Sequence, residues 1–355
     1  MTDTEDNKNS NREMNDAESL VTARAYSNLI VEIPSSFTST VRTLILDQEK
    51  NSGKLSAAGR FLALRLLKGP SLLAPFYFAG LTYKNKELGA EGGPTLQNLV
   101  KVFSPYEISG LLGLIYLLRK VKGTVSEIIW DEHKPHIFKG IEIGGHLGLA
   151  LPKIGFTMGL FCGGLGKLGQ CLFQKHDEKA YKEYRRHLRA KKLDLDLQYE
   201  MGVWGCTQYN VASMFIQLLG YGVNTANSYS AGMSGGIVPG GGEPPPDVYR
   251  FKIASVWLDS LKSTGLVPNI THKGDYYPTK EATELLVQEI GIILEKGSKL
   301  AFLDKTKEDL SPEKTPYLFP NVAQTKTAPV EVPEGEVSEE VKNQIKAEDL
   351  AELDE

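Results

Sequence analysis

Two glycine-rich patterns near the middle of the chain contain residues that could cradle a phosphate or carry a nucleophile. Gly164–Gly169 fits GxGxxG, the dinucleotide-binding pattern, and Gly232–Gly236 fits GxSxG, which would present Ser234 as a nucleophile on a sharp turn. Both patterns work only between a strand and a helix. Neither follows a segment typical of a strand. The sequence therefore predicts close helix packing at the first pattern and a loop, Gly232–Asp247, around the second.

Three histidines lie close together and could bind a metal with the acids around them. His133 and His136 are three residues apart, so on a helix they would share a face. Pro135 between them suits a first helical turn but not a helix interior. No second ligand cluster follows downstream, so surface histidines are favoured over a metal site. The full group is His133, His136 and His146 with Asp131, Glu132 and Glu142.

A basic segment, Tyr181–Lys192, could bind nucleic acid, because tyrosines interleave with its lysines and arginines. Acidic residues on the same predicted helix, Glu178 and Glu183, dilute the positive patch. A solvated helix face is the favoured interpretation. The tyrosines are Tyr181 and Tyr184, and the basic residues are Lys182, Arg185, Arg186, Arg189, Lys191 and Lys192.

Composition limits the class of protein further. The net charge of −4 combines a mildly basic body with acidic ends, which favours solubility over a defined anionic partner. Three cysteines without CxxC spacing argue against a disulfide framework and against a thiolate zinc site, and fit a reducing cytoplasm. The polar N-terminus predicts no signal peptide. The longest uncharged run around the central glycines, Ile154–Gly166, is shorter than the ~20 residues of a membrane span.

The elements that would position these residues are helices throughout, because no segment shows convincing period-two alternation. We expect an acidic disordered tail at 1–23, an N-terminal helical part at 24–125, a second helical part at 126–310 and an acidic, largely disordered tail at 311–355. Leu88–Gly93 is expected to be a loop. The predicted helices are Ser39–Leu46, a segment capped by Ser56 and ending before Gly69, Ser71–Leu81, Leu96–Phe103, Tyr106–Lys120, one or two helices within Ile128–Leu149, Gly155–Phe173, Asp177–Lys192, Leu193–Trp204, Thr207–Gly220, Arg250–Thr264, Lys280–Glu295 and a short exposed helix at Ser338–Leu353.

The central segment Leu160–Leu168 resembles the active-site helix of the HDOD domain, a bacterial relative of the HD metal-dependent phosphohydrolases. That helix ends in a pattern like A-G-L-L-H-D-I-G-K-L. Aligned on the shared Gly-Lys-Leu, Gly163 and Gly164 stand where the His-Asp pair would be. Aligned on Gly159-Leu160-Phe161, the pair falls on Cys162 and Gly163. Neither alignment restores the metal ligands.

The resemblance extends over about Ile33 to Glu295. Downstream, Glu200 precedes Gly205–Ala212, which is similar to the family's G-F-D-H-A-E-V-G with Gln208 in the histidine's place. His133 or His136 lies about where the first HD histidine would stand. Further matches are Ile33-Pro34, Gly69–Leu73, Leu99–Ile108 and Leu219–Gly222.

The resemblance implies an all-α, HDOD-like fold, in which an N-terminal helical bundle is followed by an HD-like helical subdomain. It also implies a bacterial, cytoplasmic pseudoenzyme that acts in signal transduction, with no catalytic residue, metal or cofactor. A protein partner is expected, and a cyclic dinucleotide or other nucleotide is a candidate ligand, whereas nucleic-acid binding is not expected. The vestigial pocket would be lined by His133, His136, Gly163, Gly164 and Gln208.

Two alternatives stay open. The first is a residual metal-dependent phosphohydrolase that uses His133, His136 and His146 with nearby carboxylates. The second is nucleic-acid binding through Tyr181–Lys192.

Overall fold

Helices account for all the regular secondary structure in the part of the chain that the computed structural model describes, which comprises residues 18–30, 32–235, 244–269, 276–298 and 301–319. The prediction of an all-α protein is therefore confirmed for these residues. The α-helices are α1 (18–27), α2 (Ser35–Lys50), α3 (Ala57–Leu66), α4 (Pro70–Tyr83), α5 (Asn85–Ala90), α6 (Leu96–Val102), α7 (Pro105–Thr124), α8 (Glu127–Ala150), α9 (Phe156–His176), α10 (Glu178–Lys191), α11 (Leu197–Trp204), α12 (Gln208–Leu218), α13 (Val223–Ser234), α14 (Pro246–Thr264) and α15 (Lys280–Lys296). Three short 3₁₀ helices follow at Ala301–Asp304, Lys307–Asp309 and Pro316–Leu318.

The chain divides into two compact units. Unit 1 comprises Met1–Glu32 and Leu118–Lys296, and unit 2 comprises Ile33–Leu117 and Gly297–Glu355. This division differs from the predicted domains at both ends, because α1 groups with unit 1 and the 3₁₀ helices group with unit 2. No helix among the described residues combines the length and the apolar character that a membrane span requires.

Local capping signals in unit 2 are confirmed at three helix starts. The Ser56 side chain accepts a hydrogen bond from the backbone N–H of Gly59, and Thr95 caps α6 in the same way. Ser104 precedes the proline that opens α7, and its hydroxyl accepts from the backbone N–H of Glu107 at 3.3 Å. These caps satisfy backbone donors that have no partner inside the helix.

Three local predictions are wrong where tertiary packing overrides local preference. Residues 18–23, expected to be disordered, begin α1, which buries Ala23 and Tyr26. The predicted loop at Leu88–Gly93 begins inside α5, because Leu88 is buried. The segment Ile128–Leu149, by contrast, is helical as predicted, and α8 continues through Pro135. The predicted loop Gly232–Asp247 is wrong at both ends, because α13 extends through Ser234 and α14 begins at Pro246. A helix precedes Ser234 in place of the strand that a nucleophile elbow needs, so the rejection of that motif stands. Residues 236–243 of the predicted loop and the proposed helix at Ser338–Leu353 lie outside the described residues.

Helices α8 and α9 form an antiparallel pair that is held in backbone contact by glycines. Along α8 these glycines recur every four residues, so they lie on one face of the helix. A Cβ atom added to any of them would collide with the backbone of the opposite helix, and at Gly148 it would lie 2.8 Å from the carbonyl carbon of Gly155. We call this contact the glycine seam; its pairs are Gly140–Gly163, Gly144–Gly159 and Gly148–Gly155.

The predicted GxGxxG glycines extend this close packing to other neighbours. A Cβ on Gly164 would meet the side chain of Ile141 in α8, and one on Gly169 would lie 2.9 Å from the backbone oxygen of Gln208 in α12. The prediction of close helix packing at this pattern is therefore confirmed. Unit 1 is built around α9, which has α8 on one side and α12 on another.

Candidate functional site

The glycine seam opens into a group of polar side chains at one end. Because α8 and α9 are antiparallel and the contacts repeat every four residues, the register after Gly140–Gly163 places His136 across from Lys167. These two side chains are too large for the backbones to stay in contact. The seam therefore ends here, and the polar groups of several helices meet around Lys167.

Lys167 and Lys262 bring two ammonium groups into this region. The Nζ of Lys167 donates a hydrogen bond to Oε1 of Gln170 at 2.9 Å. Lys262 comes from α14, and its Nζ lies 3.6 Å from the position that a Cβ on Gly140 would occupy. Gly140 is one turn along α8 from His136. Two helices, α9 and α14, therefore supply ammonium groups near this end of the seam.

The pKa values of both lysines are lowered. Burial lowers the pKa of Lys262 to about 8, and repulsion by Lys167 adds to this effect while Asp259 opposes it. Burial also lowers the pKa of Lys167, against the attraction of Glu200 and Asp194. Both side chains keep part of their surface open to solvent. Partial burial is thus the main cause of the lowered pKa of both lysines.

His133, a predicted pocket residue, is buried in a hydrogen-bonded network on the inner side of α8. Its Nε2 lies 2.7 Å from Oε1 of Gln174, whose Nε2 donates to Oε2 of Glu132 at 2.9 Å. Glu132 is also paired with Arg185. Burial lowers the pKa of His133 to about 4, so its imidazole is neutral near pH 7. The observed partners give His133 a structural role in joining α8 to α9.

His136 differs from His133 in its surroundings, although the two residues lie on the same helix. Its side chain is exposed. Its pKa is lowered, first by partial burial and then by the positive charges of Lys167 and Arg185. Of the two predicted histidines, His136 is the one that borders the lysine pair.

Gln208 and Glu200 form the wall of the site on the side of α11 and α12. Glu200 is fully buried, and its carboxylate accepts hydrogen bonds from the backbone N–H of Gln208 at 2.8 Å, Nε2 of Gln170 at 3.1 Å and the hydroxyl of Tyr184 at 3.0 Å. Burial raises the pKa of Glu200, and the N–H of Gln208 opposes the rise. The Gln208 carboxamide lies against Gly166, and its Oε1 has no hydrogen-bond partner among the described residues.

Gly163 and Gly164 contribute backbone to the site and no ligand atom. Their α-carbons are pressed against Gly140 and Ile141 of α8, so the space that a side chain would need is already filled. The structure thus brings His136, Gly163 and Gln208 to the neighbourhood of Lys167, whereas Gly164 faces the core and His133 belongs to the buried network.

The structure does not bring the three histidines of the predicted metal-site alternative together. His146 lies ten or more residues further along α8 than the other two histidines, which corresponds to about 15–20 Å along a helix axis. Within the described residues, no group of three or more His, Cys, Asp or Glu side chains is arranged to hold a metal ion. His133, His136 and His146 therefore cannot share one ion in this arrangement.

The basic segment Tyr181–Lys192 forms α10, and both of its tyrosines face inward. Tyr181 is 3 % exposed and Tyr184 is fully buried. The Tyr184 hydroxyl donates to Glu200 and accepts from the backbone N–H of Asp196 at 3.2 Å. The two tyrosine rings on which the nucleic-acid hypothesis depended are therefore part of the core. The outer face of α10 is a solvated charged surface.

Sequence reasoning missed Lys262, Asp194 and Asp259. Lys262 is separated from Lys167 by many residues, and nothing in the local sequence around it distinguishes it from a lysine on an ordinary amphipathic helix. Lys167 was noticed only as part of a glycine pattern. The signal that unites these residues is spatial.

Comparison of the chain with protein-family models, with curated proteins and with solved structures finds no match.

Proposed function

We propose that this chain is a non-catalytic regulatory module of the HDOD type, which works in the bacterial cytoplasm by binding a protein partner or a nucleotide. The observation that carries this proposal is the glycine seam at the place where the family's metal ligands would stand. Gly163 and its neighbour Gly164 have no ligand atom, and α8 occupies the space beside their α-carbons.

The electrostatics beside the seam support a binding role over hydrolysis. A metal-dependent phosphohydrolase needs His and Asp ligands that converge on a divalent cation and activate a bound water. Here two ammonium groups, Lys167 and Lys262, lie next to the corresponding helix positions. Like charges repel, so the two ammonium groups oppose a metal cation at these helix positions. Gln208 likewise offers a neutral carboxamide where the family has an imidazole.

The test is a combined metal and activity assay on the full chain. The protein is purified without added metal and then incubated with Mn²⁺ or Mg²⁺. Bound metal is measured by mass spectrometry, and hydrolysis is measured with bis-p-nitrophenyl phosphate and with a cyclic dinucleotide. We expect no stoichiometric metal and no turnover above the buffer rate. Stoichiometric metal together with hydrolysis that His133→Ala and His136→Ala abolish would overturn the proposal and establish the phosphohydrolase.

A further inference from the structure

We propose that residues 301–319, which we call the C-terminal strap, form an autoinhibitory contact: they cover a protein-binding surface of α4, and a partner binds there by displacing them. The strap contains the three 3₁₀ helices and belongs to unit 2, as α4 does. The partner is a peptide segment that carries an aromatic residue three positions before a lysine, as the strap itself does. This inference goes beyond the proposed function, because it names a partner-binding surface and its regulation in the unit that does not contain the glycine seam.

Helix α4 has a surface that is unsuited to contact with water. None of its 14 residues is charged. A helix without a polar face needs cover on all sides. Phe76 and Tyr77 are buried, whereas Phe78 and Tyr83 keep part of their surface exposed and contact the strap. Displacement of the strap would therefore expose aromatic surface of the kind that forms the centre of protein–protein interfaces.

The strap contacts this surface through Phe302 and Lys305. Phe302 is 2 % exposed, and its ring lies edge-on to the ring of Tyr83, with the two centroids 6.2 Å apart. The Nζ of Lys305 lies 4.9 Å from the centroid of the Phe78 ring, which is a cation–π contact. An aromatic ring and a lysine three residues apart therefore form the pattern that α4 binds.

Polar groups of the strap are paired with one another and do not use α4 as a partner. Asp309 accepts hydrogen bonds from Nζ of Lys305 at 3.2 Å and from the backbone N–H of Thr306 at 3.1 Å. Thr315 is fully buried, and its hydroxyl and its backbone N–H both donate to the backbone oxygen of Ser311. When the strap leaves α4, these groups keep their partners or exchange them for water. Displacement therefore costs apolar contact, and it leaves none of these polar groups buried without a partner.

The strength of these contacts predicts a strap that is mostly closed and opens without unfolding the unit. Burial of one phenylalanine side chain, together with one cation–π contact, favours the closed state over the open state by about 100-fold. The open state is therefore populated at about 1 %, which is enough for a partner to select. An effective concentration of about 1 mM for the tethered strap then gives a Kd of about 10 μM for the same segment added as a free peptide.

The experiment measures the binding of a fluorescently labelled peptide, residues 301–319, to the full chain by fluorescence anisotropy. In the Phe302→Ala chain the strap loses its buried ring, so the peptide should bind with a Kd of about 10 μM. The wild-type chain keeps its strap closed and should bind the peptide about 100-fold more weakly. Phe319→Ala is the matched control, because Phe319 belongs to the same strap but is 44 % exposed. This control chain should bind the peptide as the wild type does, within about twofold.

Two altered peptides test the chemistry of the partner. A peptide that carries Phe302→Ala should not bind measurably to the Phe302→Ala chain, because it lacks the ring that contacts Tyr83. A peptide that carries Lys305→Gln should bind about twofold to fivefold more weakly than the unaltered peptide, because it loses only the cation–π contact with Phe78. Equal binding of all three peptides would show that the aromatic–lysine pattern is not what α4 binds.

Hydrogen exchange on the unmodified protein keeps the inference testable if Phe302→Ala does not fold. The backbone N–H groups of Lys305, Leu310 and Leu318 donate within the strap. Short 3₁₀ helices do not persist alone, so opening of the strap exposes these amides to exchange. We expect protection of about 100-fold for the strap amides, and much stronger protection for amides in the middle of α4, which exchange only when the unit unfolds.

The inference is rejected if the strap amides exchange as slowly as those of α4, or if a folded Phe302→Ala chain binds the peptide no better than the wild type does. Wild-type dimers that the added peptide dissociates would assign the surface of α4 to a second copy of the chain and overturn the partner assignment. None of these measurements involves metal or hydrolysis. Failure here therefore leaves the proposed function standing, and hydrolysis would overturn the proposed function without changing the result for the strap.

Discussion

Replacing Gly144 with alanine tests whether the glycine seam holds α8 and α9 together. A Cβ at this position would collide with the carbonyl oxygen of Gly159, and it would lie 2.9 Å from the carbonyl carbon of Gly159 and 3.1 Å from the α-carbon of Gly163. Ordinary van der Waals contact begins at 3.4 Å, and all three atoms belong to the backbone. The two helices must therefore move apart, because no side chain can rotate out of the way.

The expected cost follows from two opposing terms. Overpacking a closely packed interior costs about 1–3 kcal/mol, and the rigid backbone here places Gly144→Ala at the upper end. Alanine regains about 1 kcal/mol of helix propensity over glycine. The free energy of unfolding should therefore fall by about 2 kcal/mol, which corresponds to about 4–8 °C in the melting temperature for a unit of this size.

Gly291→Ala is the matched control. Gly291 lies in α15, in the same unit, and an added Cβ would meet nothing within 4 Å. Only the propensity term applies, so this variant should be more stable than the wild type by up to about 1 kcal/mol.

The assay is urea and thermal unfolding followed by tryptophan fluorescence. All three tryptophans, Trp130, Trp204 and Trp257, belong to unit 1, so the signal reports the unit that contains the seam. If Gly144→Ala is as stable as the wild type, or if both variants change stability in the same direction, the seam does not hold the two helices in backbone contact.

Two further predictions concern the buried polar network. The pKa of His133 is lowered to about 4, below its unfolded value of about 6.5. Neutral His133 therefore stabilises the folded state above pH 6.5, and this stabilisation is lost as pH falls towards 4. Between pH 7 and pH 5, the free energy of unfolding should drop by about 2 kcal/mol more in the wild type than in His133→Gln. Equal drops in urea titrations of the two proteins would contradict this assignment. Tyr184→Phe should cost about 1–2 kcal/mol, because its hydroxyl joins buried Glu200 to the backbone of Asp196, whereas exposed Arg186→Gln should change stability by less than about 0.5 kcal/mol. The same urea titrations measure both variants. If Tyr184→Phe is as stable as the wild type, the Tyr184 hydroxyl does not stabilise the network.

Most helices could be predicted from the sequence because their signals act over a few residues. Thr95 and Ser104 bond to backbone N–H groups three residues away, so a reader of the sequence sees both partners at once. The segment Ile128–Leu149 was predicted to form one or two helices, and the structure has one, α8, which continues through Pro135.

The candidate site was only partly predictable, because the same residue type has different roles on different sides of a helix. His133 and His136 share a short segment, yet one is buried against Gln174 and the other is exposed beside Lys167. Tyr181 and Tyr184 were noticed for their place among basic residues, and they turned out to face the core. Which side of a helix is covered depends on neighbours that are distant in the chain.

By itself, the sequence determined that the described chain is helical, that the GxGxxG glycines serve close packing, and that no side chain at Gly163 or Gly164 can ligate a metal. Only the tertiary structure decided that Gly140, Gly144 and Gly148 complete the seam from the other helix, and that Lys262 of α14 lies beside Gly140. The physical reason is the distance along the chain over which each interaction acts. Helix propensity and capping are set by atoms within about one turn, whereas the register of two helices and the charges gathered at their ends depend on which surfaces pack together over the whole unit.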